Sequence, residues 1–372
     1  MLRKLASRPD LQIALAATAG LRVFYSMVAA VAAVFLHPDP RAIQSNGPLT
    51  ENLPAPHGLH YALLGIWERF DTLWFLRIAE HGYDRPMAVI FYPLYPAAIR
   101  LVSELISPLA AAILVSTVAA FFLFLGLLRL AGGELSEVGR VRMLLLFCMW
   151  PTSFVLFAGY AESLTQALVV WAIVFGRKER WEAATVCGLL AGSARPSGVL
   201  VFVPLAIMAL RSRQARSLIV ALTPLGLLIY WGWLRWSGRP SVVEAYRLYQ
   251  GMTMVPPWRG LGEALWLIVT EHDTLLAIKL GLVILVAVIT LRRQVRIEDK
   301  TFVLVVILQM FMYTGRPLLG AARYLLIVYP ALLVLGAYAE RWNGKQFGFY
   351  LGCFGFLNLA WMWAFLNWSL VL

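Results

Sequence analysis

Apolar stretches of roughly membrane-spanning length recur along this chain, and short clusters of basic residues separate them. The clearest stretch is LAAAILVSTVAAFFLFLGLLRL, residues 109–130. About 20 such residues cross a bilayer as a helix. The 372-residue chain is 60% hydrophobic and 14% charged, whereas a soluble globule carries about 25% charged residues. The expected fold class is therefore all-α, a polytopic transmembrane helical protein. The chain starts with the basic segment MLRKLASRPD, but the run from Leu11 to Leu36 is too long for a signal-peptide core and lacks a clear cleavage site. It reads as a retained first helix. Cys148, Cys187 and Cys353 all lie in apolar spans without paired spacing, so neither disulfides nor a metal site is inferred, and no cofactor is expected. Lysine and arginine in cytoplasmic loops account for the net charge of +12 better than nucleic-acid binding does.

The basic clusters set the topology. They are Arg3, Lys4, Arg8; Arg129, Arg140, Arg142; Arg177, Lys178, Arg180; Arg211, Arg213, Arg216; Arg292, Arg293, Arg296, Lys300; and Arg341, Lys345. The positive-inside rule places all of them on the cytoplasmic side, so an even number of crossings separates neighbouring clusters. The first helix exits near Leu36 and residues 109–130 return. Residues 93–108 are then no span. Arg100, Ser103, Glu104 and Ser107 recur there at i, i+3, i+4 and i+7, the spacing of a helix lying in the interface. Residues 67–82 read as a second surface helix. Residues 183–210 are too few for two full crossings, which need about 40. They predict a hairpin of two short helices broken at Arg195-Pro196-Ser197-Gly198. The remaining spans fall at about 143–159, 162–176, 217–236, 275–291, 301–314, 324–340 and 346–368. That makes eleven crossings, N-terminus in and C-terminus out, in one membrane domain over residues 1–372.

The outer side then holds Asp71, Glu80, His81, Glu162, the 237–274 loop and Arg323. Asp71 lies in WERFDTLWFLRIAEHGY, residues 67–83. It reads either as a surface-helix carboxylate paired with Arg69 or Arg77, or as a general base facing an outer cavity. Glu68, Glu80 and His81 share the block, and His81-Gly82 reads as a helix end rather than a metal ligand. Glu162, in FAGYAESL, is either a helix-start carboxylate at the positive dipole end or a substrate ligand. The hairpin puts Arg195 at membrane depth, where a guanidinium must line a wet cavity or pair with an anion. Its place before a new helix start suits a phosphate. Arg323-Tyr324 reads as an interfacial anchor or a substrate contact. Arg22, mid-span, reads as a structural partner for a buried acid or carbonyl. There is no glycine-rich phosphate loop, HExxH or GxSxG, which argues against nucleotide-driven transport, zinc proteolysis and serine hydrolysis.

Together these blocks resemble the membrane mannosyltransferases of the PIG-V type, which add the second mannose of the glycosylphosphatidylinositol anchor, and their bacterial relatives. RFDTLWFLRIAEHGY followed by FYPLYP resembles the first-loop signature Trp-Asp-x-x-His/Tyr-Phe/Leu-x-x-Ile-Ala-x-x-Gly-Tyr, then Phe-Phe-Pro-x-Tyr-Pro. FAGYAESL resembles the Tyr-Ser-Glu-Ser-Leu block, and SARPSG the Ser/Thr-Arg-x-x-Gly block. Phe70 replaces the usual Trp, and Trp74 the usual His or Tyr. The resemblance covers residues from about 67 to 200 and implies a GT-C fold. It also implies a sugar donor carried on polyprenyl phosphate, and an acidic residue of the first outer loop, here Asp71, at the reacting centre. Glu80, His81, Glu162, Arg195 and Arg323 are candidate substrate ligands. The expected activity is transfer of a sugar, mannose by resemblance, from a lipid-linked donor to a glycan, lipid or protein acceptor, with inversion, on the non-cytoplasmic face. The short outer loops point to a bacterial inner-membrane enzyme. The rival reading is a transporter or flippase of lipid-linked sugars, which broken helices and a membrane-depth arginine also suit.

Overall fold

The computed structural model describes residues 9–38, 40–44, 49–50, 53, 57–292 and 295–369. Arg3, Lys4, Arg8 and Arg293 of the basic clusters lie outside them. The described chain is helical apart from one antiparallel ribbon, Thr253–Met254 with Tyr313–Thr314, in which Thr253 faces Thr314 and Met254 faces Tyr313. Five helices are long and apolar enough to cross a membrane: Pro9–Phe35, Pro108–Ala131, Ala215–Trp236, Thr274–Leu291 and Gly344–Leu366. A sixth candidate, Ala321–Ile327 with Tyr329–Ala339, is bent by 76°. The chain divides into two compact units. One holds Met1–Gly82, Leu94–Ala167 and Gly336–Val371; the other holds Tyr83–Pro93 and Leu168–Leu335, with Leu372.

In the first unit Pro9–Phe35 packs along Pro108–Ala131, which also carries Leu94–Ser103 and Asp71–His81. The expected span over 143–159 is not one helix. Glu137–Cys148 stops there, and a 3-10 turn, Ser153–Phe157, follows. Pro151 has no N–H for the ladder, and its ring obstructs the preceding turn. Carbonyls freed at such a break must find donors in an apolar setting, and they do. Ser153 Oγ donates to the Cys148 carbonyl at 2.5 Å, and Asn358 Nδ2 donates to the Trp150 carbonyl at 2.7 Å. The Tyr25 hydroxyl also donates to the Cys148 carbonyl, at 3.1 Å. Arg22 meets a carbonyl, as its mid-span position suggested: it donates to Phe157 O at 2.8 Å and lies over the Trp67 ring.

In the second unit the helix Trp181–Ala194 breaks at Arg195, whose backbone is extended, and a 3-10 turn, Pro196–Val201, leads into Phe202–Ser212. The break is held by close backbone approach. A Cβ on Gly198 would stand 2.1 Å from Ala191 O, and one on Gly226 would stand 1.9 Å from Leu189 O. Any larger residue would push the turn off its helix. A buried ionic knot ties this unit together elsewhere. Asp299 is fully buried, accepts from Arg177 at 2.5 Å and from the Tyr329 hydroxyl at 2.5 Å, while Arg211 reaches Glu298 at 3.3 Å. Removing one member of such a set leaves a buried charge uncompensated, so the knot is a structural requirement of the unit.

Candidate functional site

Asp71 is the first residue of the helix Asp71–His81. The turn before it is unusual: Phe70 holds φ +47°, a conformation that costs a non-glycine residue about 1–3 kcal/mol. Packing holds it there. The Phe70 ring lies 5.3 Å from that of Phe365 and 5.1 Å from that of Trp368. Arg69, only 2% exposed, donates to Leu366 O, Glu68 O and the Tyr61 hydroxyl, and lies over Trp368. Those three bonds go to neutral oxygens.

Glu162 also opens a helix, Glu162–Gly176, and it is 3% exposed. The two helix starts are stitched together. The Asp71 N–H donates to the Tyr160 hydroxyl at 3.4 Å, and Thr72 Oγ1 donates to Ala158 O at 2.8 Å. Ser116 Oγ reaches Tyr160 O at 3.2 Å and the Tyr95 hydroxyl at 2.6 Å. Each carboxylate thus sits where a helix presents its N–H groups and positive dipole end. Asp71 is partly exposed and Glu162 is enclosed, so Asp71 is the more accessible of the two carboxylates. Glu80 and His81 sit at the far end of the Asp71 helix, exposed and 3.9 Å from one another. At 1.5 Å per residue they lie about 13–15 Å along the axis from Asp71. The structure does not gather them around that carboxylate. The helix Leu94–Ser103 supports the site from below: Tyr95 packs edge-on against Phe75, and Arg100 donates to Ala79 O near the end of the Asp71 helix.

Glu68, beside Arg69, is held above the usual carboxylate range chiefly by burial, with Arg69 and His60 opposing the shift. A carboxyl whose folded value is raised binds its proton more tightly in the folded state. Stability is then lost as pH rises through the unfolded and folded values, and it returns on acidification. Glu68→Gln should therefore raise the melting temperature at pH 7 and have a smaller effect near pH 4, where both side chains are neutral. Thermal melts at the two pH values check this.

The second unit holds Arg195 and Arg323. The Arg195 guanidinium lies 5.6 Å from the Tyr324 ring centroid. Its backbone N–H is bonded to Ala191 O, and its carbonyl accepts from Gly198 N–H. Arg323 and Tyr324 stand on the short helix Ala321–Tyr324, entered through Gly320 at φ +72°. The same unit adds two tyrosines: Tyr246 on Val242–Gln250, and Tyr313 on the ribbon, their ring centroids 5.3 Å apart. The ribbon is pinned where Glu263 accepts the Gly315 N–H at 2.9 Å. Burial, with Tyr324 and Tyr313 as neighbours, pushes the Tyr246 phenol well above its ordinary value. Tyr324 was read from the sequence together with Arg323, but Tyr246 and Tyr313 were not singled out, because they share no local spacing with it or with each other.

Comparison with known proteins follows the same residues. The family described as Mannosyltransferase (PIG-V) matches residues 21–210, a stretch that contains Asp71, Glu80, His81, Glu162 and Arg195. The chain is 33% identical over 156 residues to the GPI alpha-1,6-mannosyltransferase 2 of Rattus norvegicus, covering 37% of this chain and 31% of that protein. It is 33% identical over 144 residues to the Homo sapiens protein of the same name, covering 35% of this chain and 28% of that one. The chain thus spans under a third of the length of these relatives. No solved structure matches it.

Proposed function

Because the chain belongs to the mannosyltransferase (PIG-V) family, we propose that it is a membrane mannosyltransferase, acting as one domain over residues 1–372. It takes mannose from a polyprenyl-phosphate carrier and passes it to a hydroxyl of a glycan, lipid or protein acceptor. The observation that carries this reading is the pair of stitched helix starts, with Asp71 accessible and Glu162 enclosed beside it. In the reaction the acceptor oxygen attacks the anomeric carbon. A new carbon–oxygen bond forms as the bond to the phosphate oxygen breaks. Asp71 receives the acceptor's proton, and the polyprenyl phosphate leaves with the electron pair. One displacement inverts the anomeric configuration.

Arg195 is assigned to the donor phosphate, where a guanidinium offers a bidentate fork and stabilises charge growing on the leaving group. Glu162 and Arg323 are assigned to substrate hydroxyls and phosphate respectively. Glu80 and His81 could meet only a part of the substrate remote from the reacting carbon. The protein works as a multi-pass enzyme of a bacterial inner membrane, its site on the outer face. The test is direct. Purified protein in detergent, with no gradient, should consume mannosyl phosphopolyprenol and release the polyprenyl phosphate in the presence of acceptor. Transport of an intact lipid-linked sugar predicts no cleavage, so an inert donor under these conditions would reject the enzyme reading.

The eleven-crossing topology, with residues 37–108 outside, is part of the same proposal. Ser103 and Ser136 flank the helix Pro108–Ala131, which at 1.5 Å per residue is long enough to traverse the hydrocarbon core. Single cysteines at the two positions, with the exposed Cys353 replaced, should label from opposite faces of the membrane. Labelling of both from one face would reject the scheme.

A further inference from the structure

The turn that opens the Asp71 helix is locked to the end of Gly344–Leu366, a helix far from it in sequence. That helix finishes in a left-handed cap. Ser369 N–H donates to Ala364 O at 2.9 Å, Trp368 N–H donates to Phe365 O at 3.1 Å, and Trp368 holds φ +61°. Glycine is the usual residue at such a position, because a side chain there is crowded against the backbone. The Leu366 carbonyl is taken by Arg69 Nε at 3.0 Å, a cation where the helix dipole favours one. The guanidinium lies 4.8 Å from the centre of the Trp368 ring, and the same ring packs against Phe70. Phe70 and Trp368 thus adopt backbone conformations that favour glycine, and they adopt them against one another. Trp368 is only 4% exposed and Phe365 is fully buried.

Strain of this kind persists only where the surroundings over-determine it, and it gathers at functional sites. Glycine at 70 and 368 would relieve both turns but would remove the contact between them. What the two side chains add is a fixed Phe70 backbone, and that backbone sets the direction in which the chain enters Asp71. The bond from Asp71 N–H to the Tyr160 hydroxyl is long, 3.4 Å, so it holds the residue weakly. Resting on the reading of Asp71 as the base, we propose that Trp368 is a positioning residue of the transfer reaction. Its ring clamps Phe70 and so aims the Asp71 carboxylate at the acceptor hydroxyl. The clamp comes from outside the residues 21–210 that match the family. Loosening it leaves the carboxylate present but misdirected, so turnover falls while substrate affinity holds.

The test uses full-length protein in detergent, with mannosyl phosphopolyprenol as donor and octyl α-mannoside as acceptor probe. Phe70→Ala and Phe70→Gly both lose the ring, but only Gly takes φ +47° at no steric cost. Phe70→Ala should lower kcat about 10²-fold, the scale of a misplaced group, with KM within about twofold of wild type. Phe70→Gly should recover at least about tenfold of that loss. Trp368→Ala should lower kcat about tenfold, and Trp368→Phe should restore most of it. In the Phe70→Gly background Trp368→Ala should cost nothing further, because the two changes act through one contact. Contacts that only pack the fold give another pattern: lower melting temperatures with wild-type kcat in the protein that stays folded. That result would overturn the proposal, and so would equal kcat for Phe70→Ala and Phe70→Gly. Asp71→Asn is measured alongside. Its loss of turnover with wild-type kcat in Trp368→Ala leaves the base and rejects the clamp. Wild-type turnover in Asp71→Asn removes the base reading and this proposal with it.

Discussion

Asp71→Asn should leave the protein folded and lower its turnover by about 10²–10⁴-fold, the usual worth of a positioned general base. The structure makes this a clean substitution. The backbone N–H of Asp71 carries the contact to Tyr160, and Asn keeps that contact, the side-chain volume and the helix start. What it loses is the charge at the dipole end, which costs a surface helix only about 0.3–1 kcal/mol, and the ability to accept a proton. The measurement is mannose transfer at saturating donor and acceptor, with a thermal melt on the same preparation. Retention of more than about a tenth of wild-type turnover would place the base elsewhere. Glu162→Gln is the informative companion. Glu162 is proposed as a ligand of substrate hydroxyls rather than as the base, so its loss should raise KM for a substrate more than it lowers turnover. The reverse pattern would exchange the two roles.

The sequence disclosed those features of the fold that rest on local chemistry. The 183–210 interval was too short for two spans and held Pro and Gly together, and the helix does break at Arg195. Glu162 was read as a helix-start carboxylate, and it begins a helix; Asp71 was read inside a surface helix over residues 67–82, whereas that helix starts at Asp71 itself. Features built from distant residues stayed hidden. The apolar run over 143–159 concealed a break at Pro151, because Asn358 and Tyr25, far away in sequence, supply the hydrogen bonds that make it tolerable. Glu298 and Asp299 were not singled out beside the basic residues Arg296 and Lys300, yet Asp299 is the centre of a buried knot with Arg177 and Tyr329. The positive φ of Phe70 had no glycine to announce it, since contacts with Phe365 and Trp368 hold it in place.

Arg195 separates a substrate role from a structural one. Lys preserves the charge but loses the planar fork that matches two phosphate oxygens, and Ala loses both. Turnover is expected to fall in the order Arg, Lys, Ala, with Ala down by about 10²–10³-fold, the cost of removing one preorganised donor from developing negative charge. The backbone at this position should survive either change, because the extended conformation and the N–H bond to Ala191 O do not depend on the side chain. Close packing of Gly198 on Ala191 fixes the turn independently. Expression and melting temperature should therefore stay near wild type while donor affinity drops. A guanidinium that served only to tie the hairpin in place would give the opposite pair of results: a lowered melting temperature, and wild-type donor affinity in whatever protein remained folded. Both quantities come from one detergent-purified sample. Unchanged donor binding in Arg195→Ala would end the phosphate assignment, whatever happened to stability.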